Sequence, residues 1–193
     1  MTDPFEVLGL DRRPLLDLVS LRRAFFEASR RLHPDRNAGK SEEFLRVREA
    51  YETLRNPAAR LRALVALAGK PHETSASPAA THEDLFPWVA SAAQAARQAL
   101  APAAASTPLL GALRAARQRE ALDKVKAALK AIESAEQAAY QWLESLDNMW
   151  PRVARSELEA LAGRFRFLAS SRREMEEWLL KLTTLPRQTS AHG

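Results

Sequence analysis

The chain has 193 residues, 46% of them apolar, with no cysteine and a formal charge of +5. That length holds one or two small domains, the lack of cysteine excludes disulfides and thiolate metal sites, and no apolar run reaches the roughly 18 residues of a membrane span. The charge is spread, 14 basic against 10 acidic residues over 1–70 and 15 against 14 over 71–193, so neither half is the dense basic patch that nucleic-acid binding calls for.

In chain order, residues 3–10 read as a helix of one to two turns, with Pro4 near its start and Gly9 as its stop. A second helix, 21–32, is rich in arginine and carries an apolar stripe of Leu21, Phe25, Ala28 and Leu32. It runs into His33-Pro34-Asp35. Pro34 has no N–H to donate, its ring clashes with the preceding turn, and it drives His33 out of the helical region. The helix ends there, and a short polar loop, 35–40, is expected to present an imidazole and a carboxylate to solvent. Ser41 reads as the N-cap of a third helix, with Glu42 and Glu43 where negative charge suits the exposed N–H groups. Phe44, Val47, Tyr51 and Leu54 form its apolar stripe. Two such helices on a short loop pack antiparallel and bury both stripes. Asn56-Pro57 breaks the chain, and Pro57 opens a fourth helix through Arg60, Leu61, Leu64 and Leu67 that Gly69 stops.

The tripeptide alone is a weak signal; its flanks make it specific. Phe5-Glu6-Val7-Leu8-Gly9-Leu10, Ala24-Phe25, His33-Pro34-Asp35-Arg36, Ala50-Tyr51-Glu52-Thr53-Leu54, Asn56-Pro57 and Arg60 together closely resemble a J-domain, in order and spacing, over residues 3–69. The resemblance implies an activator of ATP hydrolysis by a DnaK- or HscA-type 70-kDa heat-shock chaperone. On that likeness His33, Pro34, Asp35 and Arg36 act with Arg22, Arg23, Arg30 and Arg31 as the chaperone-binding residues. The arginines would meet an acidic surface, and His33 and Asp35 would favour the hydrolysis-competent state. Over 18–36 five arginines stand against Glu27 and Asp35, a surplus that speeds encounter and fixes orientation and that salt weakens.

Residues 71–81 are a linker by composition. Beyond it the sequence is helical and rich in alanine: a helix over 82–100, an interruption over 101–108, a long helix over 109–147, a turn over 148–151 and a further helix over 152–182. The long helix has Leu113, Leu122, Val125, Leu129, Ile132, Ala139, Trp142, Leu143 and Leu146 on its apolar face; the last has Leu158, Leu161, Phe165, Leu168, Met175, Trp178, Leu179 and Leu182. Helices of that length on so short a turn lie antiparallel. The expected fold is all-α, a four-helix J-domain built on an antiparallel hairpin (1–70) followed by a three-helix bundle (82–183) and a polar tail (184–193).

That layout looks like the HscB type of J-protein. Leu64-Val65-Ala66-Leu67-Ala68-Gly69 resembles the end of its J-domain, and Arg166-Phe167-Leu168 with Trp178-Leu179-Leu180-Lys181-Leu182 resembles its last helix. HscB-type proteins hold an iron–sulfur scaffold of the IscU type on the bundle. The likeness places Leu85, Phe86, Val89 and Phe167 at the client-contact positions, although the first three also fit a buried stripe. The family's first bundle helix carries glutamates, whereas residues 90–97 here have no acid and one arginine. Two functions are expected: delivery of an iron–sulfur scaffold to the chaperone, or recruitment of the chaperone to another protein assembly. No phosphate loop, nucleophile motif or metal-ligand spacing appears, so the chain reads as a non-enzyme without cofactor, nucleic-acid partner or membrane partner. Its N-terminus shows no secretory pattern, and the expected location is cytoplasmic.

Overall fold

The computed structural model describes residues 2–32, 41–68, 84–101 and 107–184. Their regular elements are all α-helices: α1 (Pro4–Leu8), α2 (Leu18–Arg31), α3 (Ser41–Arg55), α4 (Pro57–Leu67), α5 (Phe86–Leu100), α6 (Pro108–Met149) and α7 (Arg155–Thr184). The architecture is the expected one, four N-terminal helices built on the α2–α3 hairpin followed by a bundle with two long antiparallel members. The chain forms two compact units. One is Met1–Ala80 with Ala138–Arg166, the other Thr81–Gln137 with Phe167–Gly193.

In the first unit, α1 is fixed at both ends. Asp3 Oδ1 accepts the Phe5 N–H at 2.9 Å. Gly9 closes the helix at φ +64, a left-handed backbone that a side chain would disfavour. Phe5 is fully buried, and α1 and α2 both lie on α3, which packs in turn on α4. Phe25 of α2 stacks on Tyr51 of α3 with centroids 4.4 Å apart. Leu21, Val47, Ala50, Leu54, Leu61 and Leu64 complete the interior, while Phe44 and Tyr51 are half-buried at its edge. The two facing stripes predicted from spacing therefore meet. α2 begins at Leu18, three residues before the predicted start, because Asp17 caps it. α4 ends at Leu67 with Ala68 as its C-cap; Gly69, the expected stop, lies outside the described residues.

Polar contacts hold the connection between α1 and α2. Arg60 of α4 is 2% exposed, and its guanidinium donates to the Pro14 carbonyl and to the Leu54 carbonyl, each at 2.7 Å. Leu54 lies in the last turn of α3, where carbonyls have no partner within the helix. Burial lowers the pKa of Arg60, which the charges of Tyr140 and Asp147 offset in part. Asp147, near the end of α6, accepts two bonds from Arg13 at 3.2 and 2.6 Å and the Leu15 N–H at 3.2 Å. The bidentate geometry is the strong form of this pair. The segment that leads into α2 is thus gripped from α4 and from α6 within the same unit.

In the second unit, α5 begins at Phe86 rather than at the expected residue 82, and residues 82–83 lie outside the described set. Pro87 sits in its first turn, where the missing N–H costs nothing. Ala92, Ala93, Ala96 and Ala99 are buried and give the helix a small-residue face. α6 and α7 run in opposite directions. Gln118 donates to the Leu182 carbonyl at 2.8 Å, and further along Glu136 accepts from Arg172 Nε at 2.9 Å. That contact raises the pKa of Arg172. Val125 and Ile132 of α6 and Leu168, Met175 and Leu182 of α7 are buried as their stripes predicted. Leu113 is not; it is 46% exposed, and so are all residues over 107–117. The Gln118–Leu182 pairing explains this, since these turns of α6 run past the described end of α7.

Candidate functional site

α2 carries the candidate docking face, and its sequence dictates which residues share it. Asp17 starts the helix, accepting the N–H groups of Val19 at 3.1 Å and Ser20 at 2.9 Å and the Ser20 hydroxyl at 2.7 Å. The Ser20 hydroxyl bond, then the Ser20 and Val19 N–H bonds, hold the Asp17 carboxyl below its ordinary value. A depressed carboxyl pKa stabilises the folded state above the unfolded value and loses that contribution as pH falls through the folded one. The first turn of α2 is therefore expected to fray on acidification below the ordinary carboxylate range, faster amide exchange at Leu21 being the readout, and Asp17→Ala is expected to fray it at neutral pH.

At about 100° per residue, Arg23 and Arg30 fall on the side of α2 opposite buried Leu21 and stacked Phe25, and Arg22 and Arg31 lie at the two edges of that exposed side. The structure thus exposes all four predicted α2 arginines, two at the centre of the outer side and one at each border. Arg23 Nε donates to Glu27 Oε1 at 3.0 Å, with both side chains largely exposed. Such an i,i+4 pair contributes only a few tenths of a kcal/mol, so Arg23 is easily released to another partner. His33, Pro34, Asp35 and Arg36 lie outside the described residues.

The four predicted client-contact residues belong to the second unit and divide by burial. Leu85 and Val89 are 4% and 7% exposed, interior residues that offer no surface. Their side chains point with the alanine face of α5, so of the two alternatives the sequence left for these positions Leu85 and Val89 take the buried stripe. Phe86 is 61% exposed, Phe167 is half-buried, and Trp88, which the sequence reading passed over, is 58% exposed. An apolar count along α5 could have found Trp88; it falls between the stripe positions that drew attention. No group of three or more histidine, cysteine or acidic side chains placed to hold a metal ion occurs among the described residues, nor does a helix long and apolar enough to cross a membrane.

Comparison with known proteins agrees with this geometry. Residues 3–62, spanning α1 to the middle of α4, match the DnaJ domain family model. The co-chaperone protein HscB homolog of Chromobacterium violaceum is 37% identical over 75 residues, and the co-chaperone protein HscB of Proteus mirabilis is 35% identical over 75 residues; each match covers 35% of this chain and 43% of the relative. The chain thus spans less than half the length of the curated relatives it matches. The solved chaperone HscB from Vibrio cholerae superposes with a TM-score of 0.54 at 22% identity, covering 94% of this chain and 99% of that one. The helices and the family match identify residues 3–62 as a DnaJ domain. In its all-α layout, with a DnaJ domain ahead of a helical bundle, this chain is similar to the HscB co-chaperones.

Proposed function

We propose that this chain is a co-chaperone that stimulates ATP hydrolysis by a DnaK- or HscA-type chaperone and uses its bundle to deliver a protein client, an iron–sulfur scaffold of the IscU type. The observation that carries the reading is a DnaJ domain whose second helix exposes Arg22, Arg23, Arg30 and Arg31, with Arg23 and Arg30 at the centre of its outer side, directly before His33-Pro34-Asp35 in sequence. The work done is differential binding: the chain favours one chaperone conformation over another, and the chaperone performs the chemistry. Arg22, Arg23, Arg30, Arg31 and Arg36 steer the encounter, while His33, Pro34 and Asp35 act at the chaperone. Phe86 and Phe167 hold the client; Leu85 and Val89 support α5 from inside.

A second reading, recruitment of the chaperone to a different assembly, is favoured by one specific feature. Two of the four client positions are interior, and residues 90–97 carry no acid. Retention of a purified IscU-type scaffold on the immobilised full chain separates the two. Under the first reading Phe86→Ala and Phe167→Ala lose most of the retained scaffold while Phe86→Ala melts like the wild type. Leu85→Ala instead lowers stability by about 2–5 kcal/mol, the usual cost of emptying a core site. No retention by the wild-type chain would favour the second.

A further inference from the structure

Two apolar side chains stand in the middle of the arginine face of α2. Val19 is 73% and Phe26 62% exposed. They are seven residues apart, two turns of helix, so they lie nearly on one line parallel to the axis. Arg22 flanks that line on one side, Arg23 and Arg30 on the other. A single exposed apolar residue is ordinary. Two in register at the centre of a cationic face repeat the spacing by which a helix meets a partner. Val19 faces away from the domain's interior, which Leu21 and the Phe25–Tyr51 stack supply; the Phe26 ring meets the edge of that stack, tilted against Phe25 with centroids 5.8 Å apart, and keeps most of its surface exposed.

We propose that Val19 and Phe26 form the apolar contact of this docking face, and that the surface they meet on the partner is an apolar patch bordered by carboxylates. The assignment rests on the DnaK-type reading above and specifies the chemistry of the chaperone surface. Charge complementarity selects the occupant, since Arg22, Arg23 and Arg30 outnumber Glu27, the sole acid on the described helix. A lipid surface fits less well. A membrane-seated helix needs a broad apolar face, and here that face is already spent on the domain core, leaving a strip one residue wide. The two sets of residues divide the work physically. Arginines act at long range, raise the association rate and weaken with salt. Val19 and Phe26 act only on contact, so they set the dissociation rate and persist in salt.

The test uses the full chain, immobilised, and a purified DnaK-type chaperone loaded with ATP, with association and dissociation followed at several salt concentrations. Phe26→Ala is expected to weaken binding about tenfold, through faster dissociation, with the salt dependence unchanged. Val19→Ala deepens the loss and Phe26→Leu restores most of it. Arg22→Ala and Arg30→Ala instead slow association and flatten the salt dependence. Val19→Ala should melt like the wild type, because its side chain is exposed, whereas Phe26→Ala also gives up the contact with Phe25, so its faster dissociation is read beside its melt and beside the recovery in Phe26→Leu. Wild-type affinity in the Val19→Ala/Phe26→Ala double variant, beside a wild-type chain that binds, overturns this inference alone. A wild-type chain that does not bind overturns the chaperone reading with it. Adsorption of the wild type to phosphatidylserine vesicles that Phe26→Ala abolishes would overturn it in favour of a lipid surface.

Discussion

His33→Gln is expected to reduce stimulation of the chaperone's ATPase to the basal rate while thermal unfolding stays where it is. α2 ends at Arg31, and a residue that precedes proline is disfavoured in the helical region, so the sequence assigns the imidazole to the connection and not to the stripe that packs on α3. The interior made by Phe5, Leu21, Leu54, Leu61 and Leu64 is complete without it. Glutamine keeps a polar side chain of similar reach, with an amide donor and acceptor, but loses the ring and the capacity to take up a proton. Folding and the steering face of α2 should therefore survive, and with them weak binding. What disappears is the preference for one chaperone conformation, and a ligand that binds two states equally shifts nothing. Steady-state hydrolysis with and without the variant, beside its circular dichroism melt, decides the matter. Stimulation at the wild-type level would remove His33 from the mechanism.

The helical hairpin was legible because its information is local. Leu21, Phe25, Val47 and Leu54 recur at the spacing of a helix face, and Pro34 and Pro57 punctuate the chain. The bundle's long helices were legible for the same reason, as Val125, Ile132, Leu168 and Met175 are buried as predicted. What failed depended on contacts distant in sequence. Nothing around Asp147 announces that it grips Arg13 and the Leu15 N–H, 134 and 132 residues away. Leu113 carries the period of a buried position, yet burial needs a neighbour, and the pairing of Gln118 with Leu182 puts Leu113 past the described end of α7. At Leu85 and Val89 a likeness to client-contact positions and the period of a buried stripe pointed in different directions, and both side chains lie inside with the alanines of α5. The placing of Arg23 and Arg30 at the centre of the outer side, with Arg22 and Arg31 at its borders, was available from helical angle alone, and so was the line of Val19 and Phe26 among them. Both were hidden by reading α2 as a sum of charges rather than as a surface.

Removing the Arg60 side chain should damage the N-terminal unit as much as emptying one of its apolar core sites. Arg60→Ala is expected to cost about 2–5 kcal/mol, combining buried acceptors left without a donor and the space vacated by a long side chain. The Pro14 and Leu54 carbonyls each receive a guanidinium N–H at 2.7 Å. They belong to the segment entering α2 and to the last turn of α3, so one planar fork ties both to α4. Lysine cannot reproduce that fork, because its ammonium is a point donor on a flexible stem; Arg60→Lys should recover only part of the loss. Arg12→Ala is the control. Arg12 also holds a carboxylate, Asp3, at 2.7 Å, but its side chain is 56% exposed, so water can take its place and less than about 1 kcal/mol should go. Urea unfolding reads the difference as a fall in the midpoint with an unchanged slope. Since Pro14 lies three residues before the Asp17 cap, Arg60→Ala should also speed amide exchange at the start of α2, which Arg12→Ala should not. Equal losses in the two variants would mean that burial is not what makes Arg60 matter, and that the path into α2 is held by Asp147 alone.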